Sequence, residues 1–158
     1  MGVYTTICII MKTVTESNAL ELLLFLMAIK RTAADKLFSD IIRTRDNWTC
    51  QRCQKVVNRF SPSARKGLHC SHFIGRSRYN TRFDEENCAA LCYGCHRYFT
   101  SNPLEHHEWQ LQRLGEDTIV QLHVRSNMRA GDNGLPRKSW YNSKEHRKEL
   151  RERLKELG

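Results

Sequence analysis

The sequence predicts a small α+β fold in which helices flank a short, irregular, cysteine-rich middle. The chain has 158 residues, enough for one domain with short extensions. Residues 32–46 show helical periodicity, residues 68–74 have the apolar character of a strand, and the cysteine spacing is typical of a metal site. We expect an N-terminal extension (1–30), a central domain (31–124) and a basic linker with a C-terminal helix (125–158).

The first helix of the central domain is expected from Thr32 to Asp46. Thr32 and Asp35 have the spacing of a capping box, in which each residue satisfies a backbone N–H of the other. Apolar residues recur at helical spacing and form one face, which comprises Ala34, Leu37, Phe38, Ile41 and Ile42.

The strands are expected in the middle of the chain. Leu68–Ile74 suits a strand that leads into Gly75, and Arg82-Phe83 is expected to begin a second strand. From Leu91 onward the sequence turns helical.

Further helices are expected after the cysteine-rich region. Asn102 and Pro103 favour the start of a helix that Gly115 ends. Residues 117–124 are predicted as another helix, with a strand as the alternative because β-branched residues occur there. Ser143 caps a terminal helix, which is either docked through its leucines or serves as a phosphate-contacting arm.

The N-terminal extension differs from the rest of the chain. It has a β-prone run (3–11) and a leucine-rich run (20–29), but no small-residue cleavage site follows, so a signal peptide is rejected. It is either an extra helix packed on the domain or upstream sequence, with Met27 as an alternative start. No run approaches the roughly 20 apolar residues that span a bilayer, so no membrane is expected.

The positive charge is concentrated where the cysteines lie. The net charge is +9, with +7 in residues 31–100 and +5 in residues 125–158. Such a surplus favours a polyanionic partner, most commonly nucleic acid, although a basic domain without that role remains the alternative.

The cysteines indicate a structural zinc site. Their odd number, seven, argues against a secreted disulfide framework. Two Cys-x2-Cys pairs place four soft ligands tetrahedrally around one zinc ion, and the ion then contributes directly to folding. The predicted ligands are Cys50, Cys53, Cys92 and Cys95, whereas Cys8 and Cys88 fit buried small residues.

Three polar residues beside these cysteines suggest chemistry beyond zinc binding. His72 lies on the expected strand, Asn87 follows fifteen residues later, and His96 directly follows Cys95. The string NCAALCYGCH therefore connects a potential metal ligand rigidly to the zinc site.

At these residues the chain resembles the HNH (ββα-metal) nucleases, and more closely the NinG (Rap) family of phage recombination proteins. The resemblance covers roughly residues 35–124 and is carried by the segments LFSDIIRTRDNWTCQRC, HCSHF, TRFDEENCAALCYGCH and RLGEDTIVQL. It implies a small ββα-metal domain held together by zinc and flanked by helices.

The resemblance also implies the roles of the three residues. His72 matches the general base that deprotonates the attacking water, and Asn87 matches the residue that holds the loop and orients that base. His96 matches the ligand of a catalytic Mg²⁺ or Mn²⁺ ion, which stabilises charge on the leaving oxygen.

One position departs from the family pattern. Many members carry an acidic second metal ligand just before the base, where this chain has Ser71, a poor ligand. The thiolate of Cys70 is too soft a ligand for Mg²⁺. The candidates for the missing acidic ligand are therefore the carboxylates of the loop: Asp84, Glu85 and Glu86.

We expect Arg76, Arg78 and Arg82 to hold phosphates near the cut, with a solvated loop as the alternative. The resulting hypothesis is a metal-dependent DNA endonuclease that acts on branched recombination intermediates of phage DNA in the host cytoplasm, with a homodimer as one arrangement. The alternatives are a non-catalytic zinc-dependent nucleic-acid-binding protein and a structural protein stabilised by zinc.

Overall fold

The computed structural model describes residues 30–158, and residues Arg31–Gly158 form one compact unit. The expectations for the extension, for Met27 and for Cys8 lie outside the described residues. Among residues 30–158, no helix has both the length and the apolar character needed to cross a membrane.

The fold is mixed α+β, with seven α-helices and a two-stranded antiparallel sheet in the part of the chain that the structure describes. The elements follow in the order α1 (Ala33–Arg45), α2 (Ala64–Gly67), β1 (Leu68–His72), α3 (Tyr79–Arg82), β2 (Cys88–Cys92), α4 (Tyr93–Ser101), α5 (Pro103–Leu114), α6 (Glu116–Asn127) and α7 (Lys144–Leu157), with a 3₁₀ turn (Trp140–Asn142) before α7.

Helix α1 begins at the predicted capping box. The backbone N–H of Asp35 donates to the Thr32 hydroxyl over 3.3 Å, and the backbone N–H of Thr32 donates to the Asp35 carboxylate over 2.6 Å. Phe38, Ile41 and Ile42 are almost fully buried and form the part of the core that packs on the sheet.

The second strand is β2, and the prediction that Arg82-Phe83 begins it is wrong. Strand β2 pairs antiparallel with β1, with Cys70 opposite Ala90 and His72 opposite Cys88. Its first four residues are completely buried, whereas Arg82 ends the short helix α3. The side chains of those four residues alternate between the two faces of the strand and are all buried, so small apolar residues suit both faces.

The two predicted helices after the cysteine-rich region are confirmed. Helix α5 has Pro103 at its N-terminus and ends at Gly115, whose φ of +80° lies in the region that favours glycine. Helix α6 resolves the helix–strand alternative, because its buried residues Ile119, Leu122 and Ser126 lie at helical spacing.

The C-terminal helix α7 is docked and packs against α1. Ser143 accepts a hydrogen bond from the backbone N–H of His146 and so caps the helix. Leu150 is buried, and Leu154 and Leu157 pack against the same core. The leucines therefore fix α7 to the domain rather than leaving it as an extended arm.

Candidate functional site

The four cysteines predicted as ligands converge at the junction between β2 and α4. Their sulfur atoms all lie within 4.8 Å of one another, and the Sγ atoms of Cys53 and Cys92 are 3.8 Å apart. Cys50 and Cys53 come from the turn after α1, Cys92 ends β2, and Cys95 lies in the first turn of α4. The cluster can hold an ion such as zinc, because four thiolates are the ligand set of a closed structural zinc site.

The protonation of the cluster depends on its surroundings. Burial raises the pKa of the Cys95 thiol to about 12, and hydrogen bonds with neighbouring cysteines act in the same direction. At Cys50 burial also raises the pKa, but backbone N–H donors outweigh it and lower the pKa to about 7. A metal ion that binds here must displace protons, so its affinity rises with pH.

Strand β1 directs its two histidines to opposite sides of the sheet, because neighbouring strand residues alternate between faces. The His72 ring lies 6.4 Å from the ring of Phe38 in α1, whereas the His69 ring contacts Tyr93 and His96 in α4. The structure therefore brings His96 together with His69. Within residues 30–158, no hydrogen bond or ring contact joins His72 to His96.

The His72 ring is held in one tautomer. Its Nε2 atom lies 2.9 Å from the carbonyl oxygen of Arg82, and a carbonyl oxygen only accepts, so Nε2 carries the proton. Burial lowers the pKa of His72 to about 4, so the ring is neutral at pH 7. The unprotonated Nδ1 atom is left as the basic nitrogen.

Asn87 holds the loop that follows β1. Its buried side-chain amide accepts from the backbone N–H of Ile74 over 2.7 Å. The same amide donates to the carbonyl oxygens of Ile74 over 2.9 Å and Thr81 over 2.8 Å. Asn87 thus fixes both ends of the loop whose next residue, Arg82, orients the His72 ring.

His96 and His69 place two ring nitrogens side by side. Their Nδ1 atoms are 3.2 Å apart, and the Nε2 atom of His69 lies 3.1 Å from the carbonyl oxygen of Lys66. The carbonyl fixes the His69 proton on Nε2 and leaves a lone pair on Nδ1, an arrangement common among metal-binding histidines. In the absence of an ion this contact is a hydrogen bond that the Nδ1 of His96 donates. Two nitrogens at about 2.05 Å from one shared ion would lie roughly 2.9 Å apart in octahedral and roughly 3.3 Å apart in tetrahedral coordination, so the observed spacing is close to both.

The sequence reasoning missed His69. Its position two residues before Ser71 puts both side chains on the same face of β1, so strand alternation places His69 on the face where the missing ligand was sought. No simple motif gives that pairing, because it depends on how α4 packs on the sheet.

The positive charge of Arg76 affects both histidines of the predicted site, His72 and His96. Burial is the largest cause that lowers the pKa of His72 and of His96, and the positive charge of Arg76 lowers both further. The charge of Arg76 therefore acts on both rings, although His72 and His96 do not touch.

A second group of potential ligands surrounds His72. The ligand atoms of Cys70, His72 and Cys88 lie within 4.8 Å of one another. Cys88 is completely buried, as the sequence predicted, and burial raises the pKa of its thiol well above the usual range. In the absence of a metal ion this thiol is protonated and packs as a small apolar side chain.

The structure corrects the expectation for Arg82. Arg82 is only 2% exposed, and its guanidinium forms an ion pair of 2.6 Å with Asp35, so it is not available to a phosphate. Arg78 is exposed, and Arg76 is partly exposed.

The loop carboxylates that were candidates for the second metal ligand are also engaged. Asp84 and Glu86 each lie 2.8 Å from the guanidinium of Arg125, and Glu85 lies 2.8 Å from that of Arg153. These ion pairs tie the loop before β2 to helices α6 and α7, so the carboxylates serve the packing of the fold.

Neither a model of a known family nor a curated protein nor a solved structure matches the chain when the three kinds of comparison are made.

Proposed function

We propose that the protein is a metal-dependent DNA endonuclease of the HNH type, which hydrolyses phosphodiester bonds in branched recombination intermediates of phage DNA. The observation that carries the proposal is the pair of Nδ1 atoms of His69 and His96, 3.2 Å apart, on a ββα unit whose cysteine cluster can hold zinc. The pair supplies the second metal ligand that Ser71 cannot supply.

His72, the last residue of β1, is the general base in this proposal, so the substrate must pass the end of the strand to reach both His72 and the His69–His96 pair on the other side of the sheet. The Nδ1 atom of His72 is unprotonated at neutral pH, because burial lowers the pKa of the ring and Arg82 holds the proton on Nε2. It can therefore accept a proton from the attacking water. Asn87 is a positioning residue that keeps the loop, and with it the ring, in place.

His69 and His96 would hold the catalytic divalent ion. An ion bound at the scissile phosphate supplies positive charge where negative charge develops on the leaving oxygen. Mg²⁺ is bound in proteins mainly by oxygen ligands, so a pair of imidazoles makes the transition-metal ion Mn²⁺ the first ion to test. The four-cysteine cluster holds a separate zinc ion, whose role is structural.

The test is cleavage of a labelled four-way junction and of a duplex of the same sequences, with Mn²⁺ or Mg²⁺. We expect Mn²⁺-dependent cutting by the wild type, and a loss of at least 100-fold in His72→Ala with unchanged DNA binding, as for removal of a general base. His69→Ala should need more Mn²⁺ for half-maximal cutting. The matched control is His107→Ala, which changes an exposed histidine of α5.

Each part of the proposal has an outcome that would contradict it. Cutting by His72→Ala at the wild-type rate would contradict the role of His72, and an unchanged Mn²⁺ requirement in His69→Ala would contradict the metal pair. DNA binding without cutting by the wild type, with either ion, would favour the alternative function.

That alternative is a non-catalytic zinc-dependent nucleic-acid-binding protein. Two observations favour it: Ser71 replaces an acidic ligand, and the nearby carboxylates are engaged in ion pairs. Under this alternative, replacement of His72 changes neither binding nor cutting, because there is no cutting to lose.

A further inference from the structure

A cationic groove, called here the α1 groove, lies between helices α1 and α2, and none of the predicted site residues lines it. It encloses a cavity of about 460 Å³. From the described part of the chain, five cationic side chains line it: Arg31, Lys36, Arg43, Arg65 and Lys66. Two carboxylates, Asp35 and Asp40, also line it, which leaves a surplus of three positive charges.

Both carboxylates are already neutralised by other cations. Asp35 pairs with the buried Arg82 at 2.6 Å, and Asp40 pairs with Arg43 at 2.9 Å and with Arg65 at 3.0 Å. Among residues 30–158, Lys36 and Lys66 pair with no carboxylate, and both side chains are exposed. Their charges are therefore available to an anion.

The α1 groove adjoins the histidine pair. The carbonyl oxygen of Lys66 accepts the hydrogen bond that orients His69. An anion chain that reaches His69 and His96 can thus continue into the groove.

The lining favours a sugar-phosphate backbone over exposed bases. Among the residues from 30 to 158, no aromatic ring lines the groove, so this part of the chain offers no surface there on which a base would stack. Its surplus of charge is carried by lysine and arginine, which contact phosphates without regard to sequence.

We propose that the α1 groove binds the phosphate backbone of a DNA strand on one side of the cleaved bond, with Lys36 and Lys66 as phosphate contacts. The proposal rests on the proposed function in that it takes DNA as the partner. It does not depend on cutting, because the groove and the histidine pair are separate sets of side chains.

The test measures binding of a fluorescently labelled four-way junction to the full chain without added Mg²⁺ or Mn²⁺, between roughly 50 and 200 mM NaCl. Each phosphate contact contributes about 0.9 to the slope of log Kobs against log salt concentration. The double variant Lys36→Ala/Lys66→Ala should therefore lower the magnitude of the slope by roughly 2. The matched control is Lys144→Ala/Lys155→Ala, which removes the same charge from two exposed lysines of α7.

An unchanged slope in the groove variant would overturn the proposal. An equal decrease of the slope in the control variant would also overturn it, because that result would show an effect of net charge alone. If the wild type does not bind DNA at low salt, the proposal also fails. The wild type could bind DNA without cutting it while the slope falls only in the groove variant. That result would support DNA binding by the groove and contradict the proposed nuclease activity. Zinc content and far-ultraviolet circular dichroism verify that each variant is folded.

Discussion

Asn87 and His72 illustrate how single residues determine the geometry of the candidate site. Every hydrogen bond of the Asn87 side chain is made to backbone groups at the two ends of the loop between Ile74 and Thr81. The backbone carbonyl oxygen of Asn87 accepts a hydrogen bond from the backbone N–H of Phe73, directly after β1. Four contacts thus converge on one buried side chain and its peptide group, so the position of the loop does not depend on solvent-exposed interactions.

Replacing Asn87 by Ala should lower the free energy of unfolding by roughly 2–3 kcal/mol, because buried backbone groups lose their partners. Urea denaturation of zinc-saturated protein measures it. The control is Asn58→Ala, an exposed asparagine whose side chain accepts one backbone hydrogen bond, with an expected loss of about 0.5 kcal/mol or less. Equal losses in the two variants would contradict the role given to Asn87.

At the scale of elements, the turn from β2 into α4 joins two sites. Cys92 is both the last residue of β2 and the N-cap of α4. In the first turn of the helix, Cys95 belongs to the cysteine cluster and His96 contacts His69. Adjacent helical residues point in directions about 100° apart, so one turn serves both sites. Loss of the cluster would therefore displace His96.

Zinc content should depend on an exposed cysteine more than on a buried one. Cys53 is exposed, and Cys53→Ser removes little packing but takes away one of four ligands. We expect this variant to lose its zinc and its helical circular dichroism signal. Cys88→Ala, which alters a completely buried side chain, should retain one zinc ion per chain. Plasma mass spectrometry measures the metal, and zinc loss in Cys88→Ala alone would contradict the assignment of the ligands.

For the whole molecule, histidines that are buried in their neutral form determine how stability depends on pH. Burial lowers the pKa of His72 and of His106 to about 4. Between pH 4 and 6.5 the unfolded chain therefore binds protons that the folded chain does not bind. Stability must then rise with pH across this range and fall as the solution is acidified.

The variant His106→Phe should reduce this dependence on pH. His106 stacks on Phe99 with ring centroids 4.6 Å apart, and a phenyl ring can retain that contact without titrating. Each such histidine contributes up to about 1.4 kcal/mol per pH unit in that range. Chemical denaturation at several pH values, with zinc in excess, should therefore give a shallower curve for His106→Phe than for the control His107→Phe. Identical curves would contradict the effect of His106.

The sequence predicted the parts of this molecule that depend on local patterns. The capping box of α1, the helix between Pro103 and Gly115 and the clustering of the cysteines all follow from short-range spacing. Features that depend on distant partners were not predictable in this way. Arg82 is buried because Asp35, 47 residues earlier, pairs with it.

The partner of His96 was missed for a similar reason, since His69 is 27 residues away in the chain. Neither contact has a pattern in the sequence around it. The roles of His72, Asn87 and His96 stay predictions that the proposed cleavage experiments test.

The position of the cysteines also has a consequence for the topology of the chain. An ion held by Cys53 and Cys92 closes a loop of 38 intervening residues, and β1, His72 and Asn87 all lie inside that loop. Closing a loop of this length with a covalent cross-link reduces the entropy of the unfolded chain by the equivalent of about 4 kcal/mol. A backbone cut within the loop would leave both fragments bound to the same ion. The candidate site therefore lies in a closed loop that the metal ion, rather than a covalent bond, completes.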